Sequence, residues 1–248
     1  MRRIKILLVV LLSCTSFAGL AQKGTAFVGI NGGISLPMGN WSKSNYIVNT
    51  QGYSNDPSGF ANKAGIGSLD GAYFFSRYIG VGALVSYASY NIKDIDVLSG
   101  GYRESFDVDR VTTTASSYKM LNLLAGLYFN FPVITKWSVT ARALAGVTDA
   151  STPQITVDVE DGGVDDGTFE QKQSNKTAFA LNGGIGIRYK VLKCFAINLR
   201  GDYFYSKPDF RIENTERHNS AGRLVNEYNQ PLSGINVSLG VAYCFGWK

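Results

Sequence analysis

A single histidine, His218, serves the whole 248-residue chain, which rules out any multi-histidine metal centre within it. Cysteine is almost as scarce: Cys14, Cys194 and Cys244 are too few for a disulfide-stapled fold. Proline occurs six times, so most of the chain lacks the residue that best interrupts strands. Long apolar runs are missing too. Residues 6–12 form a short one, well under the roughly 20 residues a helical span needs, and nothing further along approaches that length. What the chain does have is 14 Tyr, 14 Phe and 28 Gly, a mixture that suits many strands better than many helices.

The N-terminus reads as a targeting segment. Arg2, Arg3 and Lys5 precede the apolar run, and Ala18-Gly19-Leu20-Ala21 offers a small-residue cleavage site before Gln22. Residues 1–21 are therefore expected to be a signal peptide and residues 22–248 one mature domain. An alternative is that Leu11-Leu12-Ser13-Cys14 is a lipobox, with Cys14 acylated. Removing residues 1–21 takes three of 24 basic residues and none of 19 acidic ones, leaving 21 against 19, a formal charge of +2. Without a clustered basic face, nucleic acid is not an expected partner.

Three compact hairpins stand out: residues 64–92 turning near Ser76-Arg77-Tyr78, 118–148 turning at 132–136, and 177–205 turning at 190–193. One strand, residues 25–36, precedes them and another, 233–245, follows, which makes eight. Four long polar segments lie between: 37–63, 93–117, 149–176 and 206–232. Each exceeds the roughly 12–15 residues beyond which a structureless loop is unusual. They alternate strictly with the short turns, so the long connections gather at one end of the sheet.

Parity decides which solvent the strands face. Leu121, Leu123, Ala125, Leu127, Phe129 and Phe131 fall on one face, opposite Asn122, Gly126, Tyr128 and Asn130, with Met120 and Leu124 also on the latter. The same rule puts Asp70, Arg142, Arg188, Arg200 and Asp202 all on the inner side. A soluble barrel would do the reverse; a membrane barrel keeps charge inside and apolar residues toward lipid. Aromatics are expected to form girdles at both ends. Tyr73, Phe75, Tyr78, Phe129, Phe131, Trp137, Tyr189, Phe195, Tyr243, Phe245 and Trp247 lie on the short-turn side, and Tyr87, Tyr90, Tyr118, Tyr203 and Tyr205 on the other.

The last strand carries the sharpest motif. Ser238, Leu239, Gly240, Val241, Ala242, Tyr243, Cys244 and Phe245 read as polar, any, Gly, any, any, apolar, any, aromatic. On these residues the chain resembles the eight-stranded outer-membrane β-barrel family of the OmpA/OmpX type, in the versions common in Bacteroidota, over residues 25–245. Gly246-Trp247-Lys248 extend past the aromatic that ends many members. The resemblance implies an all-β, eight-stranded antiparallel up-and-down transmembrane β-barrel. It would have four long extracellular loops, three short periplasmic turns and both termini in the periplasm. It also implies recognition of the last strand by barrel-assembly machinery, and contact with outer-membrane lipid and lipopolysaccharide.

No catalytic, cofactor-binding or metal-ligating set is assigned. His218 sits in the last long segment beside Asn219, where any loop of that size carries such residues. Asp158, Glu160, Asp161, Asp165, Asp166 and Glu170 surround Gly162, Gly163 and Gly167 without the spacing of an EF-hand, and read as a solvated acidic loop. Gly29-Ile30-Asn31-Gly32-Gly33 and Asn182-Gly183-Gly184-Ile185-Gly186 precede no helix and lack a P-loop Lys, so small residues for a tightly curved wall is their reading. Cys194 and Cys244 share an inward parity on neighbouring strands, leaving open a cross-strand disulfide or two luminal thiols. The expected function is non-enzymatic: a scaffold displaying loops to a surface or envelope protein partner and supporting envelope integrity. A narrow solute channel, a secretion-assembly component and an enzyme at the barrel mouth are the rivals.

Overall fold

The computed structural model describes residues 24–45, 58–215 and 223–246. Along the chain, β1 (Thr25–Met38) is followed by a 3-10 turn, Gly39–Ser42, and then by the hairpin β2 (Ala64–Phe74) and β3 (Ile79–Tyr90). Helix α1 (Ile95–Phe106) and β4 (Arg110–Ala115) lead into the hairpin β5 (Tyr118–Ile134) and β6 (Trp137–Ser151). A small hairpin, β7 (Ile155–Asp161) and β8 (Val164–Gln171), precedes β9 (Asn175–Lys190) and β10 (Phe195–Ser206). A second one, β11 (Asp209–Thr215) and β12 (Arg223–Asn229), precedes the last strand, β13 (Leu232–Phe245).

Eight of these strands close an antiparallel barrel in the order β1-β13-β10-β9-β6-β5-β3-β2. β1 pairs with both β2 and β13, so the first and last strands seal the ring and leave no open edge. The three short turns lie at residues 75–78, 135–136 and 191–194, as expected. Several strands run 14 to 17 residues, longer than the roughly 9–11 that cross a bilayer, so the wall continues beyond an apolar band.

Burial alternates along each strand with the inward face polar. Asn31, Asp70, Asn122, Arg142, Arg188, Arg200 and Asp202 are buried, while Ile30, Leu69, Leu123, Ile185, Leu199 and Leu239 are exposed on the outer wall. A continuous apolar exterior of this kind is stable only against another apolar phase.

The long connections differ from expectation. Residues 93–117, 149–176, 206–215 and 223–232 are not structureless loops. Their strands form a five-stranded sheet in the order β12-β11-β8-β7-β4, above the barrel's long-connection end. This head has its own core: Leu98 and Tyr102 of α1 pack with Phe60 and with Ile155, Val157 and Val159 of β7, joined by the partly buried Phe106 and Phe169. The acidic segment turns as a hairpin because Gly162 and Gly163 adopt positive φ, 58° and 79°, the pair that a tight two-residue turn demands.

Candidate functional site

The barrel interior is the first place to look for chemistry. Arg142 on β6 donates from Nε to Asp202 Oδ1 and from Nη2 to Asp202 Oδ2, both at 2.8 Å, a bidentate pair. Its Nη1 reaches Asp70 Oδ2 at 3.2 Å, and Arg200 Nη1 donates to the same oxygen at 2.8 Å. Asn31 Nδ2 completes the cluster by donating to Asp70 Oδ1 at 3.0 Å. Three strands, β2, β6 and β10, thus supply the four charges, and β1 the amide.

Local sequence makes the reach possible. Asp202 on β10 and Arg142 on β6 both face Gly184 on the intervening β9. A Cβ at Gly184 would stand 1.8 Å from Asp202 Oδ1, so only glycine lets the carboxylate lean across the strand. Gly240 does the same on β13, where a Cβ would meet Asn31 Oδ1 at 2.2 Å. The cavities beside the cluster measure about 10 Å³ each, at the lower limit for one water. Chemically this is an ionic plug in which all four charged groups are paired. Breaking one partner would leave a buried charge uncompensated.

Below it, toward the short turns, Arg188 lies with its guanidinium carbon 4.0 Å from the Phe27 ring centroid and donates to Asn198 Oδ1 at 2.7 Å. Phe27 packs edge-on to Tyr128 and beside Phe74, forming an aromatic layer across the lumen. Above it, Trp41 of the 3-10 turn is fully buried against Tyr90 and Tyr118, at centroid distances of 4.5 and 6.0 Å. Tyr90 and Tyr118 are therefore lid residues inside the barrel, not members of an outer girdle. Their inward parity outweighs their position near the strand ends. Tyr87, Tyr203 and Tyr205 are exposed on the wall as expected.

The acidic residues of β7 and β8 do not converge. Asp158 accepts from Thr168 Oγ1, Glu160 pairs with Arg110 at 3.7 Å, Asp165 accepts from the Gly167 N–H, and Glu170 accepts from Gln154. They are spread along a hairpin, so the expected acidic loop is replaced by two ordered strands inside the head's sheet. His218 and Trp247 lie outside the described residues, as do Cys14 and the N-terminal segment.

The wall is apolar outside and charged within, and β1 and β13 seal the ring. A sequence profile described as outer membrane protein beta-barrel domain matches residues 7–245. The chain belongs to that family. It is an outer-membrane protein. No curated protein sequence matches it. Among solved structures it is similar to Neisserial surface protein A, at 14% identity and a TM-score of 0.48, covering 89% of this chain and 97% of that one. It is also similar to Ail, the attachment invasion locus protein of Yersinia pestis, at 13% identity and 0.43, covering 90% and 100%. The outer membrane protease OmpT from Escherichia coli aligns at 9% identity and 0.47, covering 90% and 96%.

Within this outer-membrane barrel the two remaining cysteines face each other. β10 and β13 pair Phe195 with Tyr243 and Ser206 with Leu232, which sets Cys194 opposite Cys244. The Cys244 N–H donates to the Cys194 carbonyl at 2.7 Å, and both side chains are free thiols. The girdle at the short-turn end is ordered by ring contacts: Trp137 with Tyr189 at 4.7 Å, and Phe195 and Phe245 flanking Tyr243 at 5.2 and 4.7 Å.

Proposed function

We propose that this outer-membrane barrel is a non-enzymatic anchor that presents a folded head for contact with a surface or envelope partner. The observation that supports this reading is the head's own core, with Val157 and Val159 fully buried beneath α1. Chain that only connected strands would gain nothing from a five-stranded sheet. A second support is the filled lumen, where paired Arg and Asp side chains and an aromatic layer leave no room for solute.

In this reading residues 1–21 are a cleaved signal peptide and residues 22–248 the barrel domain. The short turns and both termini face the periplasm, and the head faces outward. Gly240, Tyr243 and Phe245 serve as the address read by the barrel-assembly machinery. Exposed Ile, Leu and Val contact lipid, and the head stands above lipopolysaccharide.

The test is affinity purification from native membranes, comparing wild type with Val157→Asp, which disrupts the head core and leaves the barrel register intact. The expected result is a partner retained by wild type and lost by the variant. Retention by both, stepwise conductance in a planar bilayer, or lipid or peptide turnover abolished by His218→Ala would each contradict the reading.

A further inference from the structure

The three short turns converge on a mouth that the anchor function does not use. Between them lies a cavity of about 180 Å³. It runs from Thr25 of β1 and Arg77 of the β2–β3 turn across to Asn130, Lys136, Ser138 and Lys190 at the ends of β5, β6 and β9. The mouth is blind, because Phe27, Phe74, Tyr128 and the buried Arg188 close the lumen above it.

Its charge is of one sign. Residues 24–28, 72–81, 128–141, 186–197 and 241–246 build this end of the barrel. They contain Arg77, Lys136, Arg188, Lys190 and Lys193 and none of the chain's 19 acidic residues. Each short turn carries at least one cation, and Arg77, Lys136 and Lys190 line the cavity itself, the last two on neighbouring segments joined by the Lys190 N–H to Lys136 carbonyl bond. A concave, low-dielectric wall focuses such a field and concentrates counter-ions.

Neutral donors complete the wall. Asn130 and Ser138 are each only 6% exposed and both border the cavity. Asn130 Oδ1 is buried without a hydrogen-bond partner among the described residues. Ser138 stands opposite Arg188 in the β6–β9 register, which ties the mouth to the cation beneath it.

We propose that this mouth binds a small phosphate-bearing anion, either a soluble phosphomonoester or the headgroup of an anionic phospholipid. Three cations around one cavity suit a multiply charged tetrahedral anion better than a singly charged planar carboxylate, and guanidinium and ammonium groups are the usual phosphate donors. The volume, room for on the order of ten waters, admits one phosphate with a short ester and excludes a polymer.

The full chain, refolded into nanodiscs of neutral phosphatidylcholine, is titrated calorimetrically with sodium glycerol phosphate, with sodium acetate at equal ionic strength as the reference. Wild type is expected to show one saturable site absent from the acetate titration. The double variant Arg77→Gln/Lys136→Gln is expected to bind about a hundredfold more weakly, roughly tenfold for each charge-assisted contact. Lys43→Gln/Lys172→Gln, at the opposite end, is expected to bind as wild type does. Heat-modifiable gel migration checks that every variant is folded. Repeating the titration in discs containing phosphatidylglycerol identifies the source: loss of glycerol phosphate binding assigns the site to a lipid headgroup, and unchanged binding assigns it to a soluble ester. No saturable binding in neutral discs, equal heats with acetate, or wild-type affinity in the turn-end double variant would overturn the proposal.

Discussion

The barrel and the head solve opposite solvation problems with the same kind of strand. In the barrel, alternation puts Arg142, Arg200, Asp70 and Asp202 inside and leaves Ile185 and Leu239 on the outer wall. In the head, alternation buries Val157 and Val159 and turns Asp158 and Glu160 to water. The hydrogen-bonding ladder is indifferent to which face is apolar; the surrounding phase decides. β6 and β7, separated by only three residues, are the place where one rule gives way to the other.

Several substitutions break or sharpen that contrast. The largest effect is expected inside the barrel. Asp202→Ala removes both partners of the Arg142 bidentate pair and leaves a buried guanidinium short of charge, costing about 3–5 kcal/mol. Gly184→Val is expected to act in the same direction by displacing Asp202. Urea titration of the refolded protein in micelles measures both; unchanged midpoints would mean the cluster contributes nothing.

On the outer wall, Leu127→Arg is expected to cost roughly 2–4 kcal/mol, because the charge must enter lipid. The same replacement at exposed Val164, on the head, should be nearly neutral. Equal costs at the two sites would erase the distinction between the regions. In the head core, Val157→Ala removes part of a fully buried side chain and is expected to cost about 2 kcal/mol. That loss should appear as faster proteolysis of residues 93–117 and 149–171, with the barrel's heat-modifiable migration unchanged. The smallest effect belongs to Arg110→Ala. Its partner Glu160 and the arginine are both largely exposed, so no more than about 1 kcal/mol is at stake, falling further with added salt.

Most of the barrel was readable from residues alone, and the reason is the period. Strands such as 118–131 and 195–205 alternate without interruption, and parity placed all five inner charges correctly. The cross-strand alignment of Cys194 with Cys244 also followed from their shared inward parity near the short-turn end of two neighbouring antiparallel strands. Which charges pair was not readable, because Arg142 meets Asp70 and Asp202 only when the sheet closes on itself. Gly184 was legible as a small residue in a curved wall; its role as a gap for Asp202 needs the neighbouring strands.

The head went unrecognised for a different reason. Ile155, Val157 and Val159 alternate with polar residues and end at Gly162-Gly163, a hairpin signal that the density of Asp and Glu obscured. Ile95, Leu98 and Tyr102 follow helical spacing, yet Gly100 and Gly101 weaken the propensity that would have made α1 stand out. Tyr90 and Tyr118 were placed at the rim by position along the strand, when their parity with Ala88 and Met120 already pointed inward.

Site-directed spin labelling along β6 and β7 tests the contrast most directly. Single-cysteine variants at each position from 138 to 161, in a background with Cys194 and Cys244 changed to serine, would be reconstituted in lipid. Collision with dissolved oxygen and with a water-soluble nickel chelate is then compared position by position. The expected result is oxygen access at Val139, Ala141, Ala143, Ala145 and Val147, alternating with protected positions. Beyond Ser151 that alternation should give way to nickel access at Asp158 and Glu160 with Val157 and Val159 protected. Uniform water access along β6, or oxygen access continuing through β7, would contradict the division into a lipid-embedded barrel and a water-exposed head.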